Sequence, residues 1–232
     1  LGSAVALKDV CLLAPIPKPK RNIFCVGKNY LDHVKEIKDS KLGEAQGAMA
    51  NLPKHPVVFS KVPESVIGPL VGIDSHPHAT QEMDYEAELA VVIGRVCKDV
   101  PIERVNEVIF GYTLANDVTC REIQKSDGQW SRAKGFDTFC PIGPWIETDF
   151  VPGTQRIFSK VNDEIRQDAT LDQMIFSVSD IVVFVSQIMT LLPGDVIITG
   201  TPAGIGPLIE RGNVVVGIDG LGQLTNKVSA KP

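Results

Sequence analysis

The stretch Met83-Asp84-Tyr85-Glu86-Ala87-Glu88-Leu89-Ala90-Val91-Val92-Ile93-Gly94 alternates as a β-strand does. Tyr85, Ala87, Leu89, Val91 and Ile93 fall on one face. Asp84, Glu86 and Glu88 fall on the other, followed by Ala90 and Val92. Side chains two apart on a strand are ~7 Å apart, so ionised carboxylates in such a row repel one another. Two readings meet this pattern. Either the face belongs to an edge strand and lies in water, or the carboxylates share a hard cation. Magnesium, calcium and manganese are the ions that oxygen-only ligands select.

Working outward toward the N-terminus, residues 57–61 form a strand, with turns marked by Pro63, Gly68, Pro69 and Gly72. Residues 38–56 are polar and lack an apolar period. A connection that long inside one domain is usually a lid or a mobile loop. Residues 22–27 are a short apolar strand that leaves through the turn Gly27-Lys28-Asn29-Tyr30. Residues 31–37 have helix-forming composition, which sets His33 and Glu36 on one face at i and i+3. Pro15, Pro17 and Pro19 stiffen a polar connector. It divides residues 1–20, the end of a short N-terminal segment, from a main domain over residues 21–232.

Toward the C-terminus, residues 102–110 read as a short amphipathic helix and 111–118 as a strand ending on Asn116-Asp117. Residues 121–143 show little regular pattern, as a loop-rich site wall or an irregular packed surface would. Strands follow over 143–146, 156–161 and 164–167, the last two joined by an Asn162-Asp163 hairpin turn. Residues 176–192 are apolar all round, predicting one long, well-buried helix stopped by Pro193-Gly194. A buried strand over 195–199 runs into Gly200-Thr201-Pro202-Ala203-Gly204-Ile205-Gly206, and strands over 214–219 and 220–228 close the chain. Strands outnumber helices and most are joined by turns, so the class is α+β, mostly β, and not a doubly wound sheet.

The 232 residues are 44% hydrophobic and 22% charged with net charge −5, an ordinary globular balance. No basic run points to nucleic acid, no polybasic patch to a membrane surface, and no apolar run approaches the ~20 residues of a membrane helix. Cys11, Cys25, Cys97, Cys120 and Cys140 are scattered without a C-x-x-C pair, so neither zinc nor a disulfide framework is indicated. They read as reduced core cysteines in a cytoplasmic protein. His55, His76 and His78 lie in polar stretches and read as solvent-exposed.

Several blocks together resemble the fumarylacetoacetate hydrolase family. They are Gly27-Lys28-Asn29-Tyr30 with His33-Val34-Lys35-Glu36, Asp84-Tyr85-Glu86-Ala87-Glu88, Asn116-Asp117, and Arg121 with Gln124. Lys134-Gly135-Phe136-Asp137-Thr138-Phe139, Gly143-Pro144-Trp145, Pro193-Gly194-Asp195 and Thr199-Gly200-Thr201-Pro202 follow in order and spacing, over residues 14–228. The resemblance implies a catalytic domain built as a mixed β-roll, a homodimer, and a magnesium or manganese ion on Glu86, Glu88 and Asp117. It also implies small 2-oxo or 2,4-dioxo acid substrates that are cleaved, decarboxylated or isomerised. Three departures stand out. Lys28 and Glu122 occupy positions where the family often has Leu and Asp, and both bear on substrate preference. Asn213 replaces a frequent Asp in a turn, a neutral change.

Three carboxylates leave about three of six positions on a divalent cation for water or substrate. In the leading reading the chain hydrolyses a C–C bond of acylpyruvates through a metal-bound enolate. His33, oriented by Glu36, activates the water. Lys134 sets a cation beside the developing oxyanion. Arg121 and Gln124 hold the far end of the substrate, Arg121 being open to a purely salt-bridged role. Thr201 sits in a loop whose glycines let backbone N–H groups approach a carboxylate. That loop has neither the lysine nor the spacing of a nucleotide site. The alternatives are an oxaloacetate-type decarboxylase, an isomerase or decarboxylase of hydroxymuconate-type intermediates, and a non-enzymatic, metal-stabilised binding domain.

Overall fold

The computed structural model describes residues 5, 6, 9–39, 51–80 and 82–229. Most of the lid expected over 38–56 therefore falls outside the described residues. Strands dominate. In chain order they are β1 (Ile23–Gly27), β2 (Val57–Lys61), β3 (Val66–Ile67), β4 (Ile73–Asp74), β5 (Met83–Tyr85) and β6 (Ala87–Ile93). Next come β7 (Ile109–Asn116), β8 (Thr119–Cys120), β9 (Cys140–Glu147), β10 (Arg156–Val161) and β11 (Glu164–Thr170). The last four are β12 (Val196–Ile198), β13 (Gly206–Pro207), β14 (Asn213–Ile218) and β15 (Gly222–Ser229). Helices are α1 (Leu31–Lys38), α2 (Val105–Val108), α3 (Arg121–Asp127), α4 (Ser131–Lys134) and α5 (Val178–Ile188).

A seven-stranded mixed sheet runs β2-β1-β12-β6-β7-β9-β3, and a five-stranded sheet β11-β10-β14-β15-β4 packs on it. The principal core lies between them. Ala87, Leu89, Val91 and Ile93 meet Ile157, Val216, Ile218 and Leu224 there, together with Ile181, Val182 and Val185 of α5. The opposite face of β6, with Ala90 and Val92, packs against Ile23, Cys25, Ala115 and Ile142. Apolar side chains on both faces make β6 an interior strand, which removes the solvated-edge reading of the carboxylate row.

The opening stretch is two strands, not one. Tyr85 ends β5, which belongs to a small sheet with β13 and β8, and β6 begins at Ala87 in the large sheet. Tyr85 therefore leaves the apolar face of Ala87 and Leu89 and packs with Ile73, Met83 and Val118. Alternation cannot register such a break, because crossing between sheets preserves local extension.

Other boundaries also moved. Residues 121–143, expected to be irregular, hold α3, α4 and the start of β9. The short helical turn near 102 ends at Val108, since Ile109 pairs with Ile93 and already belongs to β7. The helix expected over 176–192 is eleven residues long and one-sided. Ser177 caps its start by accepting the Asp180 N–H, and Ile188 lies 53% exposed. Asn162 and Asp163 both have positive φ, the geometry of the expected hairpin turn. The proline connector packs on the domain in part, with Ala14 and Pro19 buried. Cys25, Cys120 and Cys140 are buried, whereas Cys97 is half-buried and Cys11 exposed, so core packing accounts for three of the five. His76 is half-buried against Phe136 and Phe139, while His55 and His78 are exposed as expected. Among the described residues no helix is long and apolar enough to cross a membrane.

Candidate active site and metal centre

Strand register brings the carboxylates together. β6 and β7 pair antiparallel with Ala87 opposite Asn116, so the residues just beyond each, Glu86 and Asp117, become neighbours. The break at Glu86 is stitched there. Its N–H donates to Asn116 Oδ1 at 2.9 Å, and its carbonyl accepts the Asp117 N–H at 2.9 Å. Glu86, Glu88 and Asp117 each place a carboxylate oxygen within 4.8 Å of the others, all three buried.

Cations brace this cluster. Lys134 Nζ donates to Glu86 Oε2 at 2.9 Å and to Asp117 Oδ2 at 2.6 Å. Lys61 Nζ reaches Asp117 Oδ1 at 2.6 Å and the Val118 carbonyl at 3.0 Å. Arg121 donates through Nε to Asp84 Oδ2 at 2.7 Å, through Nη1 to Gln124 Oε1 at 2.8 Å, and through Nη2 to Glu86. Burial raises the pKa of Glu86, but Lys134, Arg121 and His33 outweigh it and hold the carboxyl below its usual range. Glu88 goes the other way. Burial, Asp117 and Glu86 push it well above the usual range, and its bonded partner is the Gly200 N–H at 2.7 Å.

These residues fit a hard divalent cation. Three carboxylates converge, and Glu88 carries an electrostatic penalty that a nearby positive charge removes.

His33, 4% exposed, bonds through Nδ1 to Glu36 Oε2 at 3.0 Å. The other Glu36 oxygen accepts the Gly204 N–H at 3.0 Å. Gly204 has φ +97°, and a Cβ there would sit 2.2 Å from the Arg166 carbonyl oxygen, so the turn that aims this N–H at Glu36 requires glycine. The glycine-rich loop thus presents N–H groups to two carboxylates of the chain itself, Glu88 and Glu36. Thr201 Oγ1 donates to the Ala87 carbonyl at 2.9 Å and accepts from Gln167 Nε2 at 2.7 Å.

His33, Glu86, Glu88, Asp117, Arg121, Gln124, Lys134 and Thr201 line one narrow cleft, walled also by Lys28, Phe59 and Trp130. Glu36 stands behind His33. Eight of the nine residues singled out from the sequence therefore meet in one cleft, and the ninth, Glu36, bonds His33. Arg121 takes the ion-paired alternative toward Asp84 and Glu86.

Sequence reasoning missed Lys61, which is fully buried, and the polar scaffold of Asn29, Asn116 and Gln167. A lysine closing a five-residue strand looks like a surface charge, and nothing local distinguishes it. Asp84 was visible as a member of the row, but its pairing with Arg121 was not. Asn29 bonds the carbonyls of Thr199 and Phe176 at 2.8 and 3.0 Å and accepts the Phe176 N–H at 2.7 Å, which ties the turn before α1 to the glycine loop.

A strand-rich fold that brings a buried carboxylate triad and a glutamate-bound histidine into one cleft presents a candidate metal-assisted site. The family model for the fumarylacetoacetate hydrolase C-terminal domain matches residues 22–229, and the chain belongs to that family. The chain is 39% identical over 239 residues to oxaloacetate tautomerase YisK of Bacillus subtilis, covering 98% of this chain and 76% of the relative. Among solved structures, 2-hydroxyhepta-2,4-diene-1,7-dioate isomerase from Mycobacterium marinum superposes with TM-score 0.85 at 45% identity, covering 100% of this chain and 82% of the other. Fumarylpyruvate hydrolase from Pseudomonas aeruginosa, in complex with Mn²⁺ and pyruvate, gives TM-score 0.78 at 30% identity, covering 91% and 90%. Members of the family are enzymes that handle small keto acids.

Proposed function

We propose that the chain is a Mg²⁺- or Mn²⁺-dependent enzyme that moves a proton to and from carbon in small 2-oxo acids, interconverting their keto and enol forms. The observation that carries this reading is the placement of a buried imidazole, held by Glu36, in the same cleft as the carboxylate triad and Lys134. A divalent cation on Glu86, Glu88 and Asp117 would supply positive charge to an oxygen that becomes negative during the reaction. Lys134, fixed between two of those carboxylates, adds charge at the same end. With Nδ1 directed at Glu36, His33 keeps Nε2 for the proton taken from the carbon next to the keto group. Glu36 holds the ring and stabilises its protonated form. The tautomerase and isomerase names of relatives at 39% and 45% identity support this order of preference.

Hydrolysis of acylpyruvates is the second reading, favoured by the likeness to the fumarylpyruvate hydrolase. There the same imidazole activates a water that attacks the carbonyl beyond the scissile bond. We further take the chain to act as a homodimer, which light scattering would report as twice the chain mass.

Three parallel assays separate the readings: decay of the enol absorbance of oxaloacetate, release of pyruvate from oxaloacetate, and release of pyruvate from acetylpyruvate, each with Mg²⁺ and with EDTA. Mg²⁺-dependent acceleration of enol decay without pyruvate is the expected result. Pyruvate from acetylpyruvate would establish the hydrolase, and pyruvate from oxaloacetate a decarboxylase. Silence in all three leaves the binding-domain reading standing. His33→Ala is expected to lower turnover by about 10²–10⁴-fold while the rise in Tm on adding Mg²⁺ stays as in the parent. Unchanged turnover would remove His33 from the chemistry.

A further inference from the structure

Among the described residues, two aromatic rings stand between the cleft and a second groove. Phe59 of β2 and Trp130, just before α4, line the cleft, and the same two residues line a groove that runs along Phe24, Val58 and Met189. The ring centroids are 5.0 Å apart and the planes cross at 73°, an edge-to-face contact.

Packing holds both rings in place. A Cβ on Gly27 would lie 2.6 Å from Trp130 Cζ3 and 3.6 Å from Phe59 Cε1, so the two rings rest on one glycine of the cleft wall. Trp130 is 9% exposed, and its carbonyl accepts the Lys134 N–H at 3.0 Å, which ties the indole to the helical turn that carries Lys134. The Lys134 ammonium sits 5.0 Å from the Phe59 centroid while it bonds Glu86 and Asp117. The rings are therefore one side chain away from the carboxylate triad.

We propose that Phe59 and Trp130 determine substrate length: a short 2-oxo acid fits between the triad and the rings, and the rings keep longer alkyl tails out of the groove behind them. The inference rests on the site being one for 2-oxo acids, as read above, and narrows that class to its short-chain members.

A wall and a channel give opposite dependence on chain length. Each methylene moved from water onto an apolar surface tightens binding by about fourfold. Methylenes forced against a packed wall weaken it instead. The test titrates 2-oxobutanoate and 2-oxooctanoate calorimetrically into the Mg²⁺-loaded protein, beside the oxaloacetate assay. The parent is expected to bind the longer acid more weakly, by roughly tenfold or more. Trp130→Ala joins the cleft to the groove and inverts the order, because the tail then lies along Phe24, Val58 and Met189. Trp130→Phe, which keeps a ring, retains the parent order. Phe59→Ala removes the other ring from a half-buried position and decides the matter should Trp130→Ala fail to fold. A parent that binds the longer acid more tightly, or an order left unchanged by loss of either ring, overturns the role of the rings and leaves the 2-oxo acid site intact. Binding of neither acid by the parent, with no oxaloacetate turnover, overturns the site reading and this inference together.

Discussion

Glu86→Ala is expected to destabilise the fold by about 3–5 kcal/mol, because it leaves Lys134 and Arg121 buried with one carboxylate fewer between them. For a chain of this size that corresponds to a fall in Tm of about 10 °C. Denaturant unfolding of the two proteins measures it directly. The contrast lies on the surface, where Arg104 and Glu107 form an exposed ion pair and Glu107→Ala should leave the unfolding midpoint where it was. An Glu86→Ala protein that unfolds at the parent midpoint would show that the cations are not held by this carboxylate. The distinction matters for reading activity data. Loss of turnover in Glu86→Ala combines a broken charge cluster with loss of one of the three carboxylates proposed to hold the metal, whereas His33→Ala leaves the cluster intact.

The second large effect couples metal to pH. Burial and the neighbouring Asp117 and Glu86 raise the Glu88 pKa in the folded chain, so between the ordinary carboxylate value and that raised value the folded state binds a proton that the unfolded state has released. Stability of the metal-free protein therefore falls as pH rises through this window, by up to about 1.4 kcal/mol per pH unit. Glu86 works oppositely, in a separate window: its depressed pKa contributes stability that is lost as pH falls below the ordinary carboxylate range. Excess Mg²⁺ takes the place of the Glu88 proton, which flattens the decline and makes metal affinity rise with pH. Thermal melts from pH 5 to pH 8, with EDTA and with Mg²⁺, display the Glu88 decline and its flattening. Parallel curves in the two conditions would mean that Glu88 and the cation do not share a site.

Legibility in the sequence followed a physical pattern. Local pattern found β1, β2, β10, β14 and the strand around Glu88, because each is a short run rich in apolar and β-branched residues bounded by turn residues. It failed at Glu86, where the chain passes between sheets, and at residues 121–134, where α3 and α4 carry polar faces toward the cleft. Arg121 and Lys134 are helix residues buried by charge pairing and Gln124 by its hydrogen bond to Arg121, and a hydrophobic pattern cannot register them. Helix α5 was overextended because its apolar flank at Ile188 lies on the surface. Residues 40–50, where a lid was expected, lie outside the described structure.

By itself the sequence determined the class, the family, and the residues from which a site is proposed, since carboxylate spacing and the ordered blocks are properties of the chain. Only the tertiary structure decided which charges meet. Lys61 reaches Asp117 across 56 positions, Arg121 reaches Asp84 across 37, and Gly204 reaches Glu36 across 168. Charge pairing in a dry interior depends on distances that strand register and sheet packing set, and no local pattern encodes those distances.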